Sequence, residues 1–290
     1  MASVSPPAAP RAGLDLTDPR TVTAVARRAG LTAKRRLGQH FLVDRTALEA
    51  IVEALSPTAE DAVWEIGPGL GVLTAELARR AGRVVAVDLD PACIRAARST
   101  LRGLDNVELI EADALSVGAG ELGLPADHLA AGNLPYNLTG ALLAHLFEAE
   151  RPPRRAVFLV QREVAARISA APGGWSLATV AVRSVAAVER LRDVPAASFL
   201  PPPAVASSII RMHPVRPMAA EERTDVLNLA RAAFQLRRKT LRHGLGRALG
   251  DDARLAAAVM ARCGVDPGRR PETLDLDEWR CLAGAARELR

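Results

Sequence analysis

The chain has 290 residues, enough for one large domain and a smaller second one, and 49% of them are hydrophobic but only 3% aromatic, so an aliphatic core is expected. Its formal net charge is +5, supplied almost entirely by arginine, with Lys34 and Lys239 the only lysines; a positive surface favours a polyanionic partner without identifying one. Three widely spaced cysteines with no C-x-x-C pair support neither a disulfide framework nor a zinc site, and no long apolar run or signal-peptide pattern is present, which points to a cytoplasmic protein with no membrane partner.

In chain order, residues 1–30, opening on M-A-S-V-S-P-P-A-A-P-R-A-G, read as a disordered tail. From about Asp61 to Gln161 short apolar runs alternate with longer amphipathic ones: D-A-V-W-E-I-G, R-V-V-A-V-D-L-D, N-V-E-L-I-E-A-D, H-L-A-A-G-N-L-P and R-R-A-V-F-L-V-Q read as strands, separated by helical stretches that start near Gly71, Pro91 and Leu138. Such alternation implies βαβ units and a doubly wound, mostly parallel sheet of the α/β class. Beyond it come a helix around R-E-V-A-A-R-I-S-A, strand-like runs S-L-A-T-V-A-V-R-S-V and A-S-S-I-I-R-M-H-P, and the cluster Pro201-Pro202-Pro203. A boundary is expected near Pro214, which gives a large domain over 31–214 and a small helical domain over 215–290.

The stretch V-W-E-I-G-P-G-L-G-V-L places Glu65, Gly67, Gly69 and Gly71 at alternate positions between a strand and a helix, where glycine lets the backbone turn tightly and approach a nucleotide-like ligand. The next two strands end at Asp88 and Asp113, and Asp88 is placed to accept ribose hydroxyls. The spacing departs from the dinucleotide pattern G-x-G-x-x-G, whose third glycine would fall at Val72. The pattern E-x-G-x-G-x-G resembles instead the first motif of class I S-adenosylmethionine-dependent methyltransferases, which makes S-adenosylmethionine the expected cofactor.

The only tyrosine lies in G-N-L-P-Y-N, at the end of the fourth strand and so beside the expected cofactor. An exocyclic amine on a nucleobase is a poor nucleophile because its lone pair is delocalised into the ring. Oxygens that hold its two N–H groups favour a pyramidal nitrogen: the Asn133 side chain supplies one, and the Leu134 main chain, restrained by Pro135, supplies the other. Tyr136 can stack on the flat base.

With these residues the chain resembles the ribosomal RNA adenine N6,N6-dimethyltransferases, from about residue 33 to 282. N-L-P-Y matches the family's target-base motif, G-Q-H-F-L (38–42) its N-terminal block, V-Q-R-E-V-A-A-R-I-S-A-A-P-G its Q-[KR]-E-V-A-x-R block, and F-L-P-P-P-A-V-A-S (199–207) its F-x-P-x-P-x-V-x-S block. The resemblance implies cofactor contacts from His40, Leu42, Gly67, Asp88, Asp113 and Asn133, with Gln39 bordering the site, and it implies that Phe199 closes the second face of the target adenine opposite Tyr136. Asp88 stands where the family often has glutamate, Ala206 where it has aspartate, and G-G-W-S where it has Y-G.

Two cation clusters flank these motifs: Arg27, Arg28, Lys34, Arg35 and Arg36 before the glutamine block, and Arg237, Arg238, Lys239 and Arg242 in a stretch without acids. Arg35, Arg36 and the second cluster are expected to hold RNA phosphates. The string R-R-K-T-L-R and the leucine of N-L-P-Y-N resemble the small-subunit branch, which implies dimethylation of two adjacent adenines in the 3′-terminal hairpin of 16S rRNA by a monomer acting on an immature 30S subunit. Two alternatives stay open: the macrolide-resistance branch, which modifies 23S rRNA and of which W-S-L-A-T-V carries some flavour, and a non-catalytic assembly or transcription factor on the same fold.

Overall fold

The structure, a computed structural model, describes residues 14–31, 39–216, 218–236 and 239–289. The chain divides into two compact units, Met1–Arg162 with Arg190–His213, and Glu163–Glu189 with Pro214–Arg290.

The described part of the first unit contains helix α1 (Pro19–Arg28), which corrects the expectation of a disordered tail for that stretch, while residues 1–13 lie outside the described residues. Asp18 caps this helix by accepting from the backbone N–H groups of Arg20 and Thr21, and Pro19 occupies the first turn, where its missing N–H costs nothing. Val22 and Val25, one turn apart, are buried with Leu16, Leu70, Ala92, Cys93 and Ala96. Two valines among arginines make a narrow apolar stripe, which the Pro- and Ala-rich sequence before it masks.

The sheet follows as expected. Its elements are β1 (Phe41–Leu42), α2 (Arg45–Leu55), β2 (Ala62–Ile66), α3 (Val72–Ala78), β3 (Arg83–Asp88), α4 (Pro91–Thr100), β4 (Val107–Glu111), β5 (Leu129–Asn133), α5 (Thr139–Phe147) and β6 (Arg155–Gln161). Then come α6 (Arg162–Ile168), α7 (Leu177–Arg183), β7 (Ala186–Val194), β8 (Phe199–Leu200) and β9 (Ser207–Pro214). Seven strands lie in the order β4-β3-β2-β5-β6-β9-β7, parallel from β4 to β6, with β9 antiparallel to β6. The chain winds outward from β2 through β3 to β4 and then returns to β5 on the other side of β2. Strand order therefore reverses between β2 and β5, and the crevice at their carboxyl ends is where an open α/β sheet binds its ligand. Close approach fixes this point: Gly132 pairs with Ile66, and a Cβ on Gly132 would lie 2.4 Å from the Ile66 carbonyl oxygen. The short strands β1 and β8 form a separate antiparallel ribbon, with Leu42 opposite Phe199 and Phe41 opposite Leu200.

The second unit is helical, with α6, α7, α8 (Ala220–Gln235), α9 (Leu241–Ala248), α10 (Ala253–Arg262) and α11 (Leu276–Glu288). Trp279 is fully buried at its core. The sequence reading left residues 163–189 with the sheet. Here Trp175 and Val180 join the cluster of Val226, Leu245 and Trp279, so that segment packs in the helical unit, while Pro214 opens the unit's second stretch. The run around L-A-T-V-A-V is also helix and not strand. Its β-branched residues suggest a strand, but Ser176 and Thr179 form a reciprocal capping box that starts α7, and the strand follows at Ala186. A further correction concerns the cysteines, because Cys263 and Cys281 form a disulfide. The pairing is set by the meeting of the end of α10 with α11, a tertiary contact that a separation of 18 residues does not announce. Among the described residues no helix is long and apolar enough to cross a membrane.

Gly132→Ala is expected to lower stability by roughly 2–4 kcal/mol, since the added methyl must displace backbone between two central strands. Urea unfolding checks this; a loss within error would mean that β2 and β5 can separate freely at this pair.

Candidate active site

Within the first unit a cavity opens at the carboxyl ends of β2, β3 and β5, lined in part by His40, Leu42, Glu65, Gly67, Gly69, Asp88, Asp113, Asn133 and Pro135. The loop after β2 turns on Gly67, Gly69 and Gly71, whose φ angles of +71°, +56° and +89° lie in the left-handed region that side chains other than glycine rarely adopt. Gly71 stands behind the wall as the N-cap of α3, with its N–H on the Pro68 carbonyl at 2.8 Å. The Asp88 carboxylate accepts from the Gly69 N–H at 3.3 Å and from the Asp90 N–H at 2.9 Å, so it braces the loop from the neighbouring strand. Asp113, at the end of the segment after β4, accepts from the Leu115 N–H at 2.9 Å.

Four acids line the cavity, Glu65, Asp88, Asp90 and Asp113, and among the described lining residues there is no arginine or lysine. Burial pushes the Glu65 carboxyl up to about 8, with the charge of Asp88 adding to the rise and the nearby Thr74 hydroxyl opposing it. Its Oε2 has no hydrogen-bond partner, nor has the Thr74 hydroxyl, so their proximity eases the carboxyl without completing a bond. Asp88 is raised too, first by burial and further by Asp90. An acidic cavity with an orphaned carboxyl oxygen suits a cationic ligand and repels a pyrophosphate. S-adenosylmethionine, a sulfonium with an ammonium group and a ribose, fits this donor set, and Glu65, Asp88 and Asp113 are the acids that would hold its polar atoms.

At the end of β5 the Asn133 side-chain N–H donates to the main-chain carbonyl of His40 at 2.7 Å. Among the described residues its Oδ1 accepts no hydrogen bond, and the Leu134 carbonyl accepts none from the backbone. The Leu134 side chain is buried, and its N–H donates to the Leu159 carbonyl on β6 at 3.0 Å, which holds the peptide in place. Tyr136 is half-buried; its hydroxyl is hydrogen-bonded to the Ser207 hydroxyl at 2.7 Å, and burial raises its phenol. The ring facing Tyr136 is that of His40, with centroids 5.7 Å apart and planes inclined by 27°. His40 Nδ1–H in turn donates to the Pro201 carbonyl at 2.8 Å.

This arrangement corrects one expectation. Phe199 is only 2% exposed and packs with Leu42, Leu48 and Ile51, so in this structure it forms core and does not face Tyr136. Conversely, Asp90 and the α1 residues Leu16 and Val22 line the cavity, and Ser207 holds Tyr136, which borders the cavity through its neighbours Pro135 and Asn137 and is not itself among the lining residues; none of these four was singled out from sequence. Asp90-Pro91 was legible as a helix start, and Ser207 as the last residue of the F-x-P-x-P-x-V-x-S block. Gln39 donates to Asp90 at 2.9 Å, which ties the N-terminal block to α4. Of the expected RNA contacts, Arg35, Arg36, Arg237 and Arg238 lie outside the described residues, while Lys239 and Arg242 are exposed.

The reversed strand order, the glycine loop and the acid-lined crevice define a class I methyltransferase fold. Residues 30–279 match the family model described as ribosomal RNA adenine dimethylase. The chain is 42% identical over 274 residues to ribosomal RNA small subunit methyltransferase A of Anaeromyxobacter sp. (strain K), covering 89% of this chain and 95% of the relative, and 39% identical over 257 residues to the protein of that name from Dehalococcoides mccartyi, covering 87% and 88%. Among solved structures it is similar to a dimethyladenosine transferase from Plasmodium falciparum, at 25% identity and a TM-score of 0.71 over 83% of this chain and 95% of that one. It is also similar to the 23S rRNA methyltransferase ErmE, at 26% identity and a TM-score of 0.67 over 85% and 99%. The chain belongs to the ribosomal RNA adenine dimethylase family, as the sequence motifs led one to expect.

The raised carboxyl of Glu65 has a stability consequence with a definite sign. The folded protein keeps a proton on Glu65 that the unfolded chain releases near pH 4.5, so the cost is absent at low pH, grows as pH rises toward 8 and is constant above. Glu65→Gln is therefore expected to flatten the loss of stability between pH 5 and 8, by roughly 3 kcal/mol at pH 7. Calorimetric Tm values of both proteins without cofactor, across that range, check it; parallel curves would show that Glu65 does not carry the proton.

Proposed function

We propose that the protein transfers methyl groups from S-adenosylmethionine to N6 of two adjacent adenines in the 3′-terminal hairpin of 16S rRNA, within an immature 30S subunit. The observation that carries the reading is the state of Asn133: its amide nitrogen is committed to His40, and its Oδ1 is left as an acceptor next to the Leu134 carbonyl, at the edge of the acid-lined cavity. S-adenosylmethionine, when bound, supplies an electrophilic methyl group. The two oxygens accept the two N–H groups of the adenine amine and draw its nitrogen toward a pyramidal shape with an available lone pair. Pro135 stiffens the turn that carries them, and its carbonyl accepts from the Leu138 N–H at 3.0 Å as α5 begins. Tyr136 offers a ring for stacking. No base has to act before transfer, because the amine's proton becomes acidic only once nitrogen has gained its fourth bond. Holding the amine in line supplies most of the rate enhancement.

The small-subunit target is supported by the names of the curated relatives, which share more identity with this chain than the 23S rRNA enzyme does. Exposed Lys239 and Arg242 belong with Arg237 and Arg238 to the second cation cluster, which is proposed to meet RNA phosphates, as are Arg35 and Arg36 of the first.

The function is tested by supplying labelled S-adenosylmethionine with immature 30S particles or with naked 23S RNA and mapping the modified base. Label on two adjacent adenines of the small subunit is expected; label only on 23S RNA supports the resistance reading, and none supports an assembly factor. In the same assay Asn133→Ala is expected to lower kcat by about 10³-fold or more. Its affinity for S-adenosylmethionine should fall by no more than roughly five-fold, the loss of one hydrogen bond. Equal losses in kinetics and in binding calorimetry would remove Asn133 from the role of amine acceptor.

A further inference from the structure

Ser207 is fully buried at the start of β9, opposite Gln161 of β6, and its hydroxyl is hydrogen-bonded to the phenol of Tyr136 at 2.7 Å. Its neighbour Ser208 is also fully buried, and its hydroxyl donates to Asp193 Oδ1 at 2.6 Å, a contact within the sheet. The two serines thus leave opposite faces of one strand and meet different needs. Ser208 satisfies a carboxylate, whereas Ser207 is spent on the only tyrosine in the chain. A buried hydroxyl in an apolar sheet is costly unless it is bonded, so either a small apolar residue or a bonded serine can occupy this position.

Tyr136 is held at two points. The Ser207 bond fixes the far end of its ring, and the His40 imidazole covers one face, itself fixed by donation to the Pro201 carbonyl. Pro201 and Ser207 lie on the same segment, from the end of β8 to the start of β9, so both restraints on the phenol come from the F-L-P-P-P-A-V-A-S block, one directly and one through His40. A tyrosine without these contacts would rotate between rotamers and would have to be ordered by the RNA when it binds.

We propose that Ser207 is a positioning residue for methyl transfer: its hydroxyl presets the Tyr136 ring as a stacking platform before the target adenine arrives. The role rests on the reading of Tyr136 as the stacking ring and deepens it. It acts through Tyr136 and not on the substrate, so it shows in turnover while cofactor binding stays unchanged, and it vanishes once the phenol hydroxyl is gone.

Four proteins test it: the wild type, Ser207→Ala, Tyr136→Phe and the double variant, each assayed for kcat and KM on immature 30S particles, with S-adenosylmethionine affinity and Tm measured alongside. Each single change is expected to lower kcat roughly ten-fold with cofactor affinity unchanged, and the double variant to be no slower than either single one. A second readout uses the single tyrosine. With ring-labelled tyrosine the NMR spectrum reports Tyr136 alone, and its signals, displaced by the neighbouring His40 ring, are expected to move toward free-tyrosine values in Ser207→Ala. Losses that multiply in the double variant, a kcat unchanged in Ser207→Ala, or a fall in kcat matched by a fall in cofactor affinity would overturn the role. So would ring signals that do not move in Ser207→Ala while the wild type is active. A wild type that labels no adenine overturns the proposed function itself, and the role with it.

Discussion

The hydrogen bond from the Asn133 amide to the His40 carbonyl is the joint on which the site depends. It ties the end of the central strand β5 to the segment that lines the cavity and leads into β1. An asparagine amide has one donor end and one acceptor end, and this bond decides which faces the cavity. With the nitrogen committed, the oxygen is left as an acceptor at the cavity edge, as the proposed grip on an amine requires. Aspartate could not make the bond, because it has no N–H to give, and serine would not reach as far. The position of Asn133 is set in turn by the contact of Gly132 with Ile66, which locks β5 against β2 one residue earlier.

Charge is sorted within the first unit. The chain as a whole is positive, yet the cavity is walled by carboxyls: burial raises Glu65 and Asp88, and the charge of Asp88 adds to the first and that of Asp90 to the second. Without a ligand burial of Glu65 and Asp88 costs stability, since a buried acid must keep its proton or bear a poorly solvated charge. A cation in the crevice lowers that cost, so the same groups that weaken the empty fold favour a sulfonium over a nucleotide phosphate. The arginine-rich exterior suits a polyanion, and the acidic interior suits a cation. One protein can therefore attract RNA and a positively charged cofactor without either competing for the place of the other.

Most of the sheet and much of the site were legible in sequence because they rest on local signals. Glycines at alternate positions mark a turn that needs left-handed φ, acids at strand ends mark the crevice edge, and a lone tyrosine after proline marks the loop that borders the cavity. What escaped rests on tertiary contact. Helix α1 has only two buried valines on its own surface and becomes comprehensible once Leu70 and α4 lie beneath it. The α7 segment looks like a strand by composition, and the capping box of Ser176 and Thr179 overrides that preference. Cys263 and Cys281 meet only because α10 and α11 do. His40 was read as a cofactor contact, and its second task, linking Asn133, Tyr136 and Pro201, depends on three segments that are distant in sequence.

Phe199 shows how a motif can be matched correctly and still mislead about a side chain. In the β1–β8 ribbon directly opposed residues share a face: Leu42 and Phe199 point into the core with α2, while Phe41 and Leu200 point toward α1. The ribbon is thus a partition between two apolar clusters, and its side-chain alternation assigns Phe199 to the inner one. To face a base, Phe199 would have to leave Leu48 and Ile51 and abandon its pairing with Leu42, at the expense of roughly 1.5–3 kcal/mol of apolar burial. His40, one residue before the ribbon, is the residue of this block that faces Tyr136 and lines the cavity. The F-x-P-x-P-x-V-x-S block therefore contributes to the site from its middle and its end, through the Pro201 carbonyl and the Ser207 hydroxyl, while its first residue anchors the block to the core.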